Sequence, residues 1–485
     1  MQQRAQDQHR ARGWARAGRS GSPPVVDPTG ATRVRLLIDA RTTYRHGPSA
    51  LAARQQERLA ELVAFARDRS PFYHQLYAGL PQRVTDPTQL PVTTKSELMS
   101  HFEEVLTDRR ITRESVEAFV ADPARIGHDY LGAYSVASTS GTTGRRGLFL
   151  LDQGTLRVAQ TIVVRMLGSW LNARDLVRIA ARGARMAMVF ATGGHYASAV
   201  AAAKLASTQR GSRRVRVFGV HTPLPELVAG LNAFRPAVLT PYATTGVLLA
   251  AEQQAGRLHI QPALVTLSAE GIDPAQQQRI ASVFGAKVGN SYAATECPFL
   301  SYSCPAGWLH LNSDWAILEP VEADYRPTPP GQLSHTVLVT NLANRVQPIL
   351  RYDLGDRVLM QPHPCPCGSP LPGLRVQGRT ADLLRFPTPD GTEVRITSLT
   401  LSALLDRLPA LELAQLVQTA PTTVRVRLRP ALGVTPDRAW EQVAAELEHL
   451  FRTHQVDLTL ERAEEAPAPS PGGKYRLVHP LPSVD

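Results

Sequence analysis

The sequence predicts an α/β protein with a large N-terminal domain, built on mostly parallel sheets with flanking helices, and a small C-terminal α+β domain. Three observations predict this fold. Between residues 130 and 360, short β-rich runs alternate with stretches of helical periodicity, the pattern of crossover units in a parallel sheet. A Pro- and Gly-rich zone then spans residues 361–376. After that zone the pattern changes to a smaller mixture of helices and strands.

The individual elements are predicted from local patterns. Residues 50–68 carry apolar side chains at helical spacing. Thr93 or Thr94 is placed to cap a second helix, with Glu97 in its first turn. The predicted strands of the sheet are Met186–Phe190, Val215–Val220, Ala237–Thr240, Ala263–Ser268, Ala286–Gly289 and Thr336–Thr340. The predicted helices between them are Leu156–Leu171, Pro225–Phe234, Gly246–Ala255 and Pro274–Phe284. The C-terminal unit is predicted to contain a helix near Leu399–Arg407, a strand Thr423–Leu428, a helix near Arg438–Thr453 and a strand Val456–Glu461.

These elements give a three-part organisation. Residues 1–33 are rich in Arg, Ala, Gly and Gln and are predicted to be a mobile basic tail. The large domain covers residues 34–378, and the small domain covers residues 379–485. The 485 residues are 43% hydrophobic and 20% charged, which excludes a wholly disordered chain. No run of about 18 apolar residues occurs, so we expect no membrane-spanning helix, and we expect a cytoplasmic protein.

The charge balance is basic, with a net charge of +11. Basic residues outside the tail are scattered, and no basic helix with interleaved aromatic residues occurs, so the pattern argues against nucleic-acid binding. Only four lysines stand against 49 arginines. A lysine that remains in such a composition marks a place where a compact point charge is favoured over a planar guanidinium.

Five short motifs carry the chemistry. The run Ser138–Arg146 combines small hydroxyl residues with glycines, which let backbone amides approach a polyanion. The run Gly289–Glu296 follows a predicted strand and offers an aromatic ring, hydroxyls and a carboxylate. The run Arg351–Asp356 places an acidic residue where it can accept hydrogen bonds from ribose hydroxyls. The last two motifs are Gly378–Asp382, at the predicted domain boundary, and Gly472–Arg476, in a Pro/Gly-flanked loop.

In this order and at these separations the motifs resemble those of the adenylate-forming superfamily of acyl-CoA synthetases, adenylation domains and luciferases. The closest likeness is to the phenylacetate-CoA ligase branch, on the stretches SPFYHQLY, LPVTTKSEL and LNAFRPAVLTPY. The resemblance implies that the small domain is a mobile lid and that ATP and Mg²⁺ are used. It further implies attack of a carboxylate on the α-phosphate, which gives an acyl-adenylate and pyrophosphate, followed by transfer to CoA.

The resemblance also implies residue roles. Ser140, Thr142, Thr143 and Gly144 would cradle the β- and γ-phosphates. Tyr292 would stack on adenine, with Glu270 in the adenine-edge segment. Thr295 would bond the α-phosphate, and Glu296 would hold Mg²⁺. Asp356, supported by Arg379, would accept from the ribose hydroxyls, and Lys474 would bridge the carboxylate and the α-phosphate.

One departure from the family pattern concerns the second half-reaction. Ala381 stands where many members have an acidic hinge residue, although Asp382 is adjacent. The alternative is therefore an amide-forming or other acyl-transfer ligase with an amine acceptor instead of CoA. A nucleotide-sensing protein is disfavoured by Glu296, Asp356 and Lys474. An aryl or compact carboxylic acid is the expected substrate, and a dimer is left open.

The cysteines and one histidine complete the set of candidates. Cys297, Cys304, Cys365 and Cys367 lie in two short loops, where they predict a structural Zn²⁺ site, with His310 as an alternative fourth ligand; free thiols are the other interpretation. His195 follows a predicted strand and two glycines. It is expected either to orient a reacting group in the acyl pocket or to serve as a polar wall residue.

Overall fold

The computed structural model describes residues 26–139, 147–192, 194–207, 211–268, 271–379, 383–387, 393–405, 408–470 and 475–481. The helices in these ranges are α1 (Arg33–Arg45), α2 (Pro48–Arg69), α3 (Pro71–Leu76), α4 (Lys95–Ser100), α5 (Phe102–Val105), α6 (Arg113–Ala121), α7 (Gln153–Trp170), α8 (Ala173–Ala181), α9 (Ala197–Ser207), α10 (Gly211–Arg214), α11 (Leu224–Phe234), α12 (Ala243–Gln254), α13 (Pro274–Phe284), α14 (Ser398–Leu405) and α15 (Pro436–Thr453).

The strands in the same ranges are β1 (Ser135–Thr139), β2 (Gly147–Leu151), β3 (Met186–Phe190), β4 (Val215–Gly219), β5 (Val238–Pro241), β6 (Leu264–Ser268), β7 (Lys287–Tyr292), β8 (Ser301–Ser303), β9 (Leu309–Leu311), β10 (Ala316–Val321), β11 (Thr336–Asn341), β12 (Ile349–Asp353), β13 (Asp356–Met360), β14 (Gly373–Arg379), β15 (Leu383–Pro387), β16 (Glu393–Thr397), β17 (Leu411–Ala420), β18 (Thr423–Pro430), β19 (Thr459–Arg462) and β20 (Val478–His479).

A nine-stranded sheet organises the large domain, in the order β13-β14-β9-β8-β7-β6-β5-β3-β4. The five strands β4, β3, β5, β6 and β7 are parallel, and the remaining pairs in this sheet are antiparallel. Helices α11, α12 and α13 cover the parallel part, where Leu231, Leu249 and Ile280 are fully buried. The predicted alternation of strands and helices over this region is confirmed.

Local signals account for these crossover helices. In α13 the side chain of Asp273 accepts a hydrogen bond from the backbone of Ala275 at 2.7 Å, which caps the first turn. Gly285 ends the same helix in the left-handed region at φ +56°. The helix therefore has the bounds that the sequence predicts.

The last predicted strand of the sheet lies elsewhere. Thr336–Thr340 belongs to β11, which pairs antiparallel with β10 and β12 in a separate three-stranded sheet. Its six residues are all buried. A strand that is buried on both faces is a continuous apolar run in the sequence, whether its neighbours are parallel or antiparallel. The pattern of Thr336–Thr340 therefore could not show which of the two sheets contains it.

The N-terminal segment also departs from the prediction. Residues 26–33 were expected to belong to the mobile tail, but Val26 and Ala31 are buried in the large core. Arg157 of α7 donates to the carbonyl oxygen of Pro28 at 2.9 Å, and Thr32 caps α1. These contacts attach the segment to the body of the protein.

The hairpin β1–β2 is missed by the sequence analysis and is held by side-chain amides. Gln347 accepts from the backbone nitrogen of Leu150 at 2.8 Å and donates to the carbonyl of Leu148 at 3.2 Å. Asn344 donates to the carbonyl of Leu150 at 2.8 Å. These amides satisfy the free edge of β2, as a neighbouring strand would.

A smaller sheet domain lies at the C-terminal end, with the strand order β19-β18-β17-β20. Helix α15 packs against it through Val443, Leu447 and Phe451, which are buried together with Leu416. The boundary at residues 378 and 379 stays a prediction. Among the described helices, none combines the length and the apolar character needed to cross a bilayer.

Candidate active site

The candidate site lies where the parallel strands end. Tyr292 is the last residue of β7, and Ser268, the last residue of β6, pairs with Ser291. Tyr242 follows β5 and forms a parallel bridge with Ser268. The carboxyl ends of these strands therefore meet at one edge, which is the usual ligand-binding edge of such sheets.

Two predicted nucleotide residues are in direct contact. The hydroxyl of Tyr292 donates to Oδ2 of Asp356 at 2.7 Å. Asp356 is buried and begins β13, far from Tyr292 in the chain. The hydrogen bond brings the side chains of Tyr292 and Asp356 together at this edge of the sheet.

Glu296 is held by two neighbours that the sequence analysis did not assign. The hydroxyl of Tyr352 donates to Oε1 of Glu296 at 3.1 Å, and both side chains are buried. Asn341, at the end of β11, donates to the carbonyl oxygen of Glu296 at 2.9 Å. Tyr352 lies inside the Arg351–Asp356 motif and could have been found there. No local signal marks Asn341, because its role depends on how β11 packs.

The remaining predicted residues of this edge are placed as follows. Thr295 is half-buried in the turn between Tyr292 and Glu296. The backbone of Arg379, at the end of β14, is in register with Asp356. Six residues with predicted roles lie outside the described residues: Ser140, Thr142, Thr143, Gly144, Glu270 and Lys474. Thr139 and Gly147, which are paired in β1–β2, flank the first of these segments.

His195 lies after β3 and is almost fully buried. Its Nε2 is 3.2 Å from the carbonyl oxygen of Asp122, and since a carbonyl only accepts, Nε2 carries the proton. Nδ1 is buried and has no hydrogen-bond partner among the described residues. The carbonyl of His195 accepts from the backbone nitrogen of Ser138 at 2.7 Å. The residue thus links the loop after β3 to the strand that leads into residues 140–146.

Four potential metal ligands converge in the antiparallel part of the large sheet, beside strands β9 and β14. The ligand atoms of Cys304, His310, Cys365 and Cys367 all lie within 4.8 Å of one another. They come together because β9, which contains His310, pairs with β14, which follows the Cys365–Cys367 loop. The sulfur atoms of Cys304 and Cys365 are 3.7 Å apart.

The geometry and the chemistry of this group fit zinc. Two thiolates at about 2.3 Å from a tetrahedral Zn²⁺ lie about 3.8 Å from each other. His310 donates from Nδ1 to the carbonyl of Leu371 at 3.0 Å, which leaves Nε2 free as a ligand, 3.1 Å from the sulfur of Cys367. Burial lowers the pKa of His310, which favours the neutral form that binds metal.

Cys297 does not belong to this group. It is fully buried in the large apolar core, and burial raises the pKa of its thiol. The prediction that Cys297 is a zinc ligand is therefore wrong. Cys297 and Cys304 are close in sequence, but β8 lies between them, so the two side chains are in different parts of the domain.

Comparison with known proteins shows what the chain is similar to. No family model matches the chain. It is 27% identical over 351 residues to a phenylacetate-coenzyme A ligase of Thermus thermophilus, covering 69% of this chain and 71% of that protein. This similarity supports the predicted resemblance to the adenylate-forming superfamily. The predicted resemblance to its phenylacetate-CoA ligase branch is confirmed.

Solved structures of adenylate-forming enzymes share the fold. A 2-hydroxyisobutyryl-CoA ligase in the postadenylation state gives a TM-score of 0.63 at 19% identity, covering 96% of this chain and 95% of that one. An anthranilate CoA ligase in complex with anthranoyl-AMP gives 0.50 at 13% identity, covering 70% and 64%. The predicted α/β fold with a smaller C-terminal sheet domain is thus confirmed.

Proposed function

We propose that the protein is an ATP-dependent, AMP-forming acid–CoA ligase. A carboxylate oxygen of the acid attacks the α-phosphate of ATP, and the bond to pyrophosphate breaks. The thiol of CoA then attacks the acyl carbon of the adenylate, and AMP leaves. The observation that carries this proposal is the contact between Tyr292 and Asp356 at the sheet edge, beside the buried pair of Glu296 and Tyr352.

The nucleotide roles follow from this arrangement. The ring of Tyr292 offers a stacking surface for adenine, and Asp356 offers a carboxylate to the ribose hydroxyls. Arg379, whose backbone is in register with Asp356, is proposed to support the same position. Ser140, Thr142, Thr143 and Gly144 receive the phosphates, and Glu270 contributes to the adenine edge.

Glu296 would hold a cation beside the phosphates, and Thr295 and Lys474 would act there as donors. Glu296 offers a hard carboxylate oxygen, the ligand type that Mg²⁺ prefers, and its orientation is set by Tyr352. Bound Mg²⁺ would neutralise phosphate charge as the bond to pyrophosphate breaks. Thr295 donates to the α-phosphate, and Lys474 brings an ammonium group to the reacting oxygen atoms.

The acceptor is CoA rather than an amine. The named relative is a phenylacetate-coenzyme A ligase, which favours the thiol acceptor for this chain. We further propose an aryl or compact acid as substrate, with Tyr242 on the wall of the acyl pocket; its hydroxyl lies 2.9 Å from Ser198. His195, with its bare Nδ1, is proposed to orient a group in the same pocket.

The Cys304/His310/Cys365/Cys367 group is proposed to hold a structural zinc ion. All four positions are protein ligands, which is typical of closed structural sites. Bound there, zinc would cross-link the β8–β9 turn to the loop between β13 and β14. The ion would thereby stabilise the antiparallel half of the sheet without touching the nucleotide.

The test is a pyrophosphate-release screen over aryl and compact carboxylic acids, run with ATP, with and without CoA, and with candidate amines. We expect release that depends on one acid class, AMP as the nucleotide product, and a thioester detected by mass spectrometry. Acid-dependent release that an amine accelerates and CoA does not would replace this proposal by the amide-forming alternative. No acid-dependent release with any acid class would refute adenylation.

A further inference from the structure

A basic cavity lies at the end of the sheet opposite the candidate active site. It has a volume of about 510 Å³ and is lined by Arg185, Arg216, Asn232, Ala233, Phe234 and Arg235. Arg185 directly precedes β3, and Arg216 is the second residue of β4. Because β3, β4 and β7 run parallel, the cavity lies at the amino end of the strands, whereas Tyr292 lies at the carboxyl end.

The charge of this cavity is not balanced locally. Among the described residues, no ion pair joins the guanidinium groups of Arg185, Arg216 or Arg235 to a carboxylate. The surrounding sequence is also one-sided, since residues 176–225 contain eight Lys or Arg and no Asp or Glu. Three positive charges line this cavity, two of them exposed, and none has a counter-charge among the described residues, so the local potential favours an anion there.

Two of the arginine side chains, those of Arg185 and Arg216, are also held in position. Arg185 donates from Nε to the carbonyl oxygen of Arg235 at 3.1 Å, which leaves its terminal nitrogens for a ligand. The guanidinium of Arg216 lies over the ring of Phe234 at 4.8 Å. Ala184 and Arg235 both have φ near +50°, at +51° and +50°. Backbone in this region is strained for residues other than glycine and is enriched at functional sites.

A second, apolar cavity adjoins the first. It has a volume of about 390 Å³ and is lined by Leu224, Pro225, Val228, Ala229, Asn232, Glu252 and Arg257. Asn232 belongs to both cavities, and its amide is engaged by the backbone of Arg257 and His259. Glu252 is already paired with Arg257. The two cavities together offer an anion site beside an apolar surface, and Asn232 lies where they adjoin.

We propose that this pair of cavities binds a phosphate-bearing ligand, with its phosphate among Arg185, Arg216 and Arg235 and its less polar part against Leu224 and Val228. The planar guanidinium groups provide paired donors for phosphate oxygens. The site is separate from the nucleotide-binding edge. The shared chemistry is a phosphate group, which a free anion such as pyrophosphate or the 3′-phosphate of CoA can supply.

The experiment compares ligand binding to Arg216→Gln and Arg185→Gln with that to the intact protein. The control is Arg174→Gln. Arg174 is an exposed arginine on α8, so this substitution removes the same charge at a position outside the cavity. Calorimetry with inorganic pyrophosphate, CoA and 3′-dephospho-CoA gives the stoichiometry and the affinity. Melting temperatures without ligand show that each variant is folded.

We expect one binding equivalent to weaken at least tenfold in Arg216→Gln and Arg185→Gln and to persist in Arg174→Gln. Loss of the preference for CoA over 3′-dephospho-CoA in Arg216→Gln identifies CoA as the source, and an effect on pyrophosphate alone identifies a free anion. Binding that both cavity variants retain, or an equal loss in Arg174→Gln, would overturn the proposal. Pyrophosphate exchange should be the same in all four proteins, so its absence everywhere would count against the proposed ligase and not against this site.

Discussion

At the residue scale, the hydroxyl of Tyr352 is predicted to orient the carboxylate of Glu296. Tyr352→Phe removes the 3.1 Å hydrogen bond and keeps the ring packed against Phe149. A hydrogen bond to a charged group contributes about 1.5–3 kcal/mol. We expect the Mg²⁺ concentration for half-maximal pyrophosphate exchange to rise roughly tenfold, with a smaller change in kcat.

A matched variant shows whether the Tyr352 hydroxyl orients Glu296 or only fills space in the core. The hydroxyl of Tyr77 is buried without a hydrogen-bond partner among the described residues. Tyr77→Phe therefore removes the same atom outside the site and should leave the Mg²⁺ dependence unchanged. If Tyr352→Phe and Tyr77→Phe give the same Mg²⁺ curve as the intact protein, Tyr352 has only a packing role.

Lys474 is predicted to be the most sensitive single residue for adenylation. Lys474→Ala removes a charge that would stabilise the transition state, and such losses cost several kcal/mol of barrier. We expect acid-dependent pyrophosphate exchange to fall by a factor on the order of 10² or more. Lys287→Ala, at the exposed start of β7, is the control and should retain full exchange. Unchanged exchange in Lys474→Ala would remove this residue from the mechanism.

At the scale of elements, the amide of Gln347 is predicted to act as a substitute strand for β2. Gln347→Leu leaves the buried backbone nitrogen of Leu150 and carbonyl of Leu148 without their partners. An unsatisfied buried group costs about 1–3 kcal/mol, so the free energy of unfolding should fall by at least that amount in urea titrations. The control is Gln332→Leu, on an exposed turn, and an equal effect there would contradict the assigned role.

Zinc binding by Cys304, His310, Cys365 and Cys367 can be tested with Cys297, the cysteine outside this group, as the control. Cys365→Ser replaces a proposed zinc ligand, whereas Cys297→Ala changes a thiol in the apolar core. Elemental analysis of folded protein should give about one zinc per chain for the intact protein and for Cys297→Ala. Cys365→Ser should contain far less. A metal content near zero in the intact protein would favour free thiols instead.

Sequence patterns predicted the elements whose signals are local. The strand Met186–Phe190 and the helix Pro274–Phe284 have the predicted bounds. The strand is a short apolar run, and the helix is bounded by the cap Asp273 and by Gly285, so both signals are local. The strands β8, β9 and β14 were missed, because they are short and depend on pairings such as Gly373 with His310. The motif order led to the superfamily, but the partners of Glu296 come from strands far along the chain.

At the scale of the whole molecule, a buried network of charges joins the N-terminal helices to the segment between β9 and β10. Asp314 is fully buried and is bound by both terminal nitrogens of Arg165, at 2.8 and 2.7 Å. Arg58 of α2 contacts the backbone of Asp314 and, at 2.5 Å, the carboxylate of Asp39 in α1. Arg58 also lies 3.2 Å over the ring of Trp315. Breaking such a pair on one side leaves the opposite charge buried, which costs about 3–5 kcal/mol.

This network predicts the response of the whole protein to acid. Burial alone would raise the pKa of Asp314, but Arg165, with help from Arg58, lowers it below its usual value. A carboxyl group whose pKa is lower in the folded state contributes stability above its unfolded pKa and loses it as the pH falls through its folded pKa. We therefore expect the free energy of unfolding to decrease in urea titrations as the pH is lowered below about 5, toward and through the unfolded pKa of an aspartate. Asp314→Asn should be less stable near neutral pH and should lose part of this slope, whereas the exposed variant Asp68→Asn should keep it. A slope that Asp314→Asn retains in full would show that other carboxylates control the acid response.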